Sequence, residues 1–178
     1  MKKLTKLTIT TISLMTLLFT GCNSDKTSDL ATPAKGSELD GPGFTVTVPD
    51  TWTVRYPEPN VYLCSSESYG DEDIFEQVII FEPAKLSKDM SLDEYIDTTL
   101  EHNKNAYSLD FDKDTTIDGH DGKVYVGKSK RQTNVMLKYV FFTANDKVYI
   151  AQYSGDNSDG YDAMESEADS IIASIKPE

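Results

Sequence analysis

A chain of 178 residues, 38% of them apolar and only two of them cysteine, can bury one ordinary core and cannot be a disulfide-stapled mini-fold. Thirty acidic side chains against seventeen basic ones give a formal charge of −13. That balance excludes a nucleic-acid role, which depends on basic surface and counterion release, and disfavours adsorption to anionic lipid through a polybasic patch.

The chain opens on Met1-Lys2-Lys3 and Lys6, continues through a mostly apolar stretch from Leu7 to Phe19, and reaches Thr20-Gly21-Cys22. A positive start, an apolar centre and a small-residue cleavage site are the order of a secretory signal peptide. A membrane span needs roughly 20 apolar residues, and Leu7–Phe19 is shorter and carries Thr8, Thr10, Thr11, Ser13 and Thr16. Leu18-Phe19-Thr20-Gly21-Cys22 resembles a lipobox, which implies cleavage before Cys22 and acyl chains, palmitate included, carried on that residue. Residues 1–21 carry three lysines and no acid, so their removal lowers the charge by three, from −13 to −16. Resemblance to enteric lipoproteins, with Asn23 after the cysteine, implies an outer membrane facing the periplasm where the source has one. Otherwise the address is the outer face of the cell membrane.

Residues 22–40 read as the lipidated cysteine and a flexible linker, rich in Ser, Thr, Asp, Lys and Ala, with Pro33 and Gly36 and no apolar period. Eighteen such residues reach roughly 20–25 Å root-mean-square. Residues 41–178 then form one globular domain. Phe44–Val48 alternates with period two and ends at Pro49-Asp50. Trp52–Arg55, Asn60–Ser65 and Phe75–Phe81 read as further strands, punctuated by Pro57, Pro59, Gly70 and Pro83. Ser91 and Glu94 form a capping box, with Met90 and Tyr95 placed as a hydrophobic staple. Behind them Leu92, Tyr95, Ile96, Thr99 and Leu100 make one apolar helix stripe. An acidic connection follows, containing a short strand over Ser108–Ile117. Three strands then run as hairpins, Lys123–Arg131, Val135–Thr143 and Lys147–Ser154, turning at Gln132-Thr133-Asn134 and Asn145-Asp146. Leu137, Tyr139 and Phe141 alternate with Met136, Val140 and Phe142, so both faces of that sheet are to be covered. Asp159 or Ser158 is placed to cap a last helix, Gly160–Ser174, whose buried stripe is Tyr161, Met164, Ala168, Ile171, Ile172 and Ile175. The expected fold is α+β, an antiparallel sheet with a helix packed on each face.

Phe44-Thr-Val-Thr-Val-Pro49-Asp-Thr-Trp52, Ser91-Leu-Asp-Glu-Tyr95, Thr116-Ile-Asp-Gly119 and Tyr161 through Ile172-Ala-Ser174 together resemble the PsbP-like superfamily (PsbP- and DcrB-like proteins). The resemblance spans nearly all of residues 43–176. It implies an α-β-α sandwich and a non-catalytic binding or accessory role, without selecting a partner, because fold does not set function.

Candidate sites are few. Asp110, Asp112, Asp114, Asp118 and Asp121 offer alternating oxygens of the kind calcium takes at about 2.3–2.6 Å. As an EF-hand loop the run has Thr115 where the sharp turn needs Gly, and Asp121 where a bidentate Glu belongs. A solvated acidic connector on an acidic protein is the plainer reading. Cys64, in Val61-Tyr62-Leu63-Cys64, reads as a buried thiol, since no basic neighbour in sequence would activate it. His102 and His120 stand alone, too few for a zinc site. Lys128, Lys130, Arg131 and Lys138 cluster on one hairpin, as a basic docking spot or as a lysine-protected tip. No nucleophile elbow, Walker loop or dinucleotide fingerprint occurs. Carboxylates distributed along the chain are the one hydrolytic arrangement left open. The sequence thus points to a membrane-anchored envelope lipoprotein whose non-catalytic domain binds or stabilises an envelope protein. The alternative is a calcium- or small-ligand-binding lipoprotein using the 110–121 acidic loop.

Overall fold

Period-two alternation makes a strand wherever one face can be buried, as in Phe44–Val48, whose residues alternate between buried and half-buried. The computed structural model describes residues 28–65 and 76–178; Cys22, the expected signal peptide, Gly70 and Phe75 lie outside the described residues. The first strands are β1 (Ser28–Asp29), β2 (Ser37–Gly41), β3 (Phe44–Val48), β4 (Trp52–Tyr56), β5 (Val61–Ser65), β6 (Gln77–Ile80) and β7 (Ala84–Lys85). Helix α1 (Leu92–Asn103) precedes the long strands β8 (Tyr107–Ile117), β9 (His120–Ser129), β10 (Val135–Ala144) and β11 (Lys147–Asp156). Helix α2 (Asn157–Ala173) and β12 (Lys176–Pro177) close the chain.

Among the described residues nine strands form one sheet in the order β1-β8-β9-β10-β11-β6-β5-β4, with β7 beside β11; β12-β3-β2 form a second, small sheet. All pairings are antiparallel except β1 with β8. The central strand β10 is buried along nearly its whole length, as expected of a sheet covered on both sides. On one face Leu137, Tyr139 and Phe141 meet Ile96, Leu92 and Leu100 of α1. On the other, Val140, Phe142, Val124 and Tyr153 meet Tyr161, Ala168, Ile171 and Ile172 of α2, together with Phe44, Val46 and Val48 of the small sheet. This is the α+β sandwich that the periodicity indicates.

Three boundaries differ from the sequence reading. From Ser28 on, the expected linker is built into the fold. Ser28 and Asp29 pair with Thr115 and Thr116, Leu30 is buried in the α2-side core, and Ser37–Gly41 pairs with Phe44–Val48. The partners of Ser28 and Asp29 lie 87 residues away, so nothing local marks β1, whereas β2 closes a tight hairpin onto β3 with Gly41 opposite Phe44. The strand expected over Ser108–Ile117 forms as β8, with Tyr107 added and a bulge between Phe111 and Lys113, whereas β9 starts at His120 and not at Lys123. Helix α2 starts at Asn157 behind Asp156, whose side chain makes no capping bond, instead of behind Ser158 or Asp159. Gly155 permits that tight entry, because a β-carbon there would stand 2.7 Å from the Tyr161 Cα. The capping box on α1 forms as expected, with the Glu94 N–H donating to Ser91 Oγ (3.2 Å) and the Ser91 N–H donating to Glu94 Oε2 (2.8 Å).

Candidate functional site

A helix shields only a narrow stripe of the sheet beneath it, and α1 leaves part of its face open. Ile96 is its one buried residue. Beneath and beside it runs a row of five rings in successive contact: Tyr107–Tyr139 at 5.3 Å, Tyr139–Phe141 at 5.9 Å, Phe141–Tyr125 at 5.9 Å and Tyr125–Phe111 at 5.6 Å between centroids. The register of β8, β9 and β10 creates the row, placing Phe111 opposite Tyr125 and Tyr125 opposite Tyr139. Phe141 is fully buried, whereas Phe111 at the open end is 52% exposed. Burial pushes the Tyr107, Tyr125 and Tyr139 phenols above their ordinary value, so these rings stay neutral and present apolar surface with a hydroxyl edge. The Tyr139 hydroxyl donates to Gln152 Oε1.

Charges frame the row. Lys123 Nζ lies 5.7 Å from the Phe111 ring centre, 2.8 Å from Asp93 of α1 and 3.8 Å from Asp114. The hydrogen bond to Asp93 holds the lysine above its usual pKa. At the other end a groove of about 500 Å³ opens between α1 and β8, lined by Asp97, Leu100, Glu101, Tyr107, Leu109 and Lys130. Lys130 Nζ crosses its end to donate to the Lys104 carbonyl (2.7 Å). Neutral rings flanked by both signs of charge can be covered by a partner of mixed polarity, since aromatic residues are enriched at the centres of protein interfaces.

The calcium candidates are not gathered. Asp110 stands opposite Val126, which packs on the α2-side core, whereas Asp114 stands opposite Lys123 and pairs with it. The two therefore leave opposite faces of the sheet. Asp112 occupies the bulge, Asp118 the turn at φ 50°, and Asp121 the start of β9 opposite Thr116. Among the described residues no three His, Cys, Asp or Glu side chains form a metal-ligating group. Asp118 also borders a second cleft of about 380 Å³ between β1, β3 and the end of α2. There Asp29 already accepts from Thr116 Oγ1, and Ser174 Oγ accepts from the Thr47 N–H (2.9 Å) while donating to the Ile171 carbonyl (2.6 Å).

The basic spot breaks up. Lys138 is only 3% exposed and reaches Glu165 (2.6 Å) and Asp169 (2.7 Å) of α2, so it is a buried ion-pair centre and not part of a docking patch. Its place was legible, because Lys138 falls between Met136 and Val140 in the alternating row that faces α2. Glu165 and Asp169, four apart, share one face of a helix. Burial pushes the Asp169 carboxyl above its ordinary range even against the pull of Lys138. Cys64 is buried, as expected of a small apolar thiol. Burial raises its pKa more than the Arg55 guanidinium beside it lowers it, which leaves a poor nucleophile. His102 bonds through Nδ1 to the Thr98 carbonyl (2.7 Å), and His120 opens β9. No helix among the described residues is long and apolar enough to cross a membrane.

No family model matches the chain, and no curated protein matches it in sequence. Among solved structures it is similar to the solution structure of cyanobacterial PsbP from Synechocystis sp. PCC 6803, at 13% identity and a TM-score of 0.51, covering 79% of this chain and 90% of that one. It is equally similar to the Ran-binding protein Mog1p of Saccharomyces cerevisiae, at 13% identity and a TM-score of 0.51, covering 83% and 96%. At such identities the likeness is one of fold alone: a β-sheet-rich α+β domain.

Proposed function

We propose that this chain is an envelope lipoprotein, acylated at Cys22 after removal of residues 1–21, whose PsbP-like domain has no catalytic role and docks an envelope protein. The anchor reading is supported by the order of charge, apolar stretch and Thr20-Gly21-Cys22 in the sequence. It places the domain on the periplasmic side of an outer membrane, or on the outer face of a single-membrane cell. The docking reading is carried by one observation, the ring row that ends in the half-exposed Phe111 beside α1. Rings exposed at one end and buried at the other present a preorganised anchor, and such residues supply much of the energy at protein interfaces.

The test is crosslinking in intact cells, comparing wild type, Phe111→Asp and Cys22→Ser. A specific crosslinked species is expected in wild type and lost in Phe111→Asp, with circular dichroism unchanged because the side chain already meets solvent. Labelled palmitate is expected in wild type and absent from Cys22→Ser. The same crosslinks in wild type and Phe111→Asp would remove the docking face from the proposal.

A further inference from the structure

We infer that the partner docks by adding one extended strand to the outer edge of β8, with apolar side chains in the groove beside α1 and a basic side chain against Asp110. The inference rests on the docking reading above and adds the mode of docking and the chemistry of the docked segment. Strand β8 ends the row of long strands, and β1 covers its outer edge only at Thr115 and Thr116. The Ala106 carbonyl accepts from the Lys130 N–H (2.8 Å), so that group faces β9. Backbone direction alternates along a strand. The N–H and C=O of Ser108 and Asp110 therefore also turn towards β9, and those of Tyr107, Leu109 and Phe111 turn outward. Gly127 of β9 agrees with this phase, because a β-carbon there would stand 1.9 Å from the Ser108 carbonyl oxygen. Past the bulge the phase reverses, and the Thr116 carbonyl turns outward to accept from the Leu30 N–H (3.4 Å).

Among the described residues no strand pairs with the outer edge from Tyr107 to Phe111. Those five residues span about 17 Å, an ordinary strand length. Their side chains sort by face. Tyr107 and Leu109 are half-buried and, with Leu100 of α1, line the groove of about 500 Å³, and Phe111 continues that row. A strand laid on this edge sends every second side chain into the groove. Strand addition draws affinity from main-chain hydrogen bonds and selectivity from pockets for alternate side chains. An outward-facing strand beside a helix-walled groove offers both.

Charge sets the polarity of the segment. Asp110 is exposed on the face away from the rings, and exposed Asp112 follows at the bulge. At the opposite end Lys104 and Lys130 border the groove. Antiparallel pairing is the more stable per residue, and an antiparallel segment starts beside Phe111 and ends beside Tyr107. A basic residue in its first half meets Asp110, and a carboxylate at its end meets Lys130. The formal charge of −13 favours the approach of a segment that is basic overall. The partner assigned to this edge is therefore an extended protein segment of alternating apolar and polar residues, basic near its start, with an apolar side chain packed on Phe111.

The experiment uses the full-length protein in nonionic detergent and a synthetic octapeptide with valine and isoleucine at alternate positions, two arginines between them in its first half, and a free terminal carboxylate. Saturating peptide is expected to slow exchange of the Leu109 and Phe111 amide hydrogens about tenfold or more, while Ser108 and Asp110, already bonded to β9, change little. Of two versions N-methylated at alternate residues in opposite phases, one should bind and the other fail, because only one set of N–H groups meets β8. Asp110→Lys, on the face away from the rings, should weaken binding about fivefold, and a peptide with glutamates in place of the arginines should recover it. No slowing at Leu109 and Phe111, equal binding of the two methylated peptides, or slow exchange of those two amides before peptide is added would each overturn strand addition. Slowing that follows protein concentration alone would do the same, since it marks a second copy as the occupant. If strand addition fails while Phe111→Asp still loses its crosslink in cells, the docking reading stands without it. A crosslink that survives Phe111→Asp removes the docking reading, and this inference with it.

Discussion

Lys138 shows how one residue can be placed by a pattern and misread by its charge. Its lysine identity suggests solvent, yet alternate positions of β10 point to α2, and there it joins Glu165 and Asp169. Removing one member of a buried ion pair leaves the others uncompensated, at a cost of about 3–5 kcal/mol. Glu165 is partly exposed and can turn to water, so Lys138→Met is expected to destabilise by about 3 kcal/mol in urea unfolding. The triple variant Lys138→Met, Glu165→Gln, Asp169→Asn should recover most of that loss, because no bare charge remains; recovery of none would mean that packing, not charge, is at stake. Asp169 adds a pH signature. Its carboxyl binds a proton more tightly in the folded state than in the unfolded chain, where the value is near 3.8. Its contribution to stability is thus fully present below that value and is lost as pH rises through the raised folded value. The stability of wild type relative to Asp169→Asn should fall over that rise and level off above it.

At the scale of elements, legibility followed the distance between partners. Both halves of the α1 cap lie within four residues, so Ser91 and Glu94 could be read as a capping box without knowing the fold. The Asn145-Asp146 turn was legible for the same reason; both residues adopt positive φ, at 52° and 59°, as a two-residue hairpin requires. Asp118-Gly119, with φ of 50° and 79°, is a hairpin turn of the same type, and taken as one it would have started β9 at His120, directly after it. Residues 28–34 offered no such signal, because β1 pairs with β8, 87 residues away, and the apolar groups are a scattered Leu30, Ala31 and Ala34. Strand β2 is different, pairing with β3 across a two-residue turn with Gly41 opposite Phe44, so its signal was local. Local origin also makes the α1 cap separable. Ser91→Ala should cost about 1 kcal/mol, read as roughly fivefold faster hydrogen exchange of α1 amides. Because α1 buries only Ile96 fully, that loosening should stay within the helix and spare β10; equal acceleration in both would show that α1 and the sheet open as one unit.

The whole molecule was legible as layers and not as an arrangement. Two apolar stripes at helical spacing and a strand pair apolar on both faces required a sheet between helices, and β10 between α1 and α2 is that layer. Strand order depends on partners up to 133 residues apart, as for Phe44 with Pro177, and no local period encodes it. The acidic run shows the consequence for function. As a loop, Asp110 to Asp121 could wrap a cation; as β8, a turn and the start of β9, it sends Asp110 and Asp114 to opposite faces and gives Asp114 a lysine partner. Calcium prefers six to eight converging oxygens, and an extended strand spreads its side chains instead of folding them around a point. Extracellular calcium modules bind with dissociation constants of about 0.1–1 mM. A site at the weak end would add about 1.4 kcal/mol at 10 mM calcium, which raises a midpoint by several degrees in a domain of this size. The expected outcome is an unmoved midpoint from chelated protein up to 10 mM calcium, at constant ionic strength. A rise abolished by Asp112→Asn or Asp118→Asn would show that the run closes around the ion.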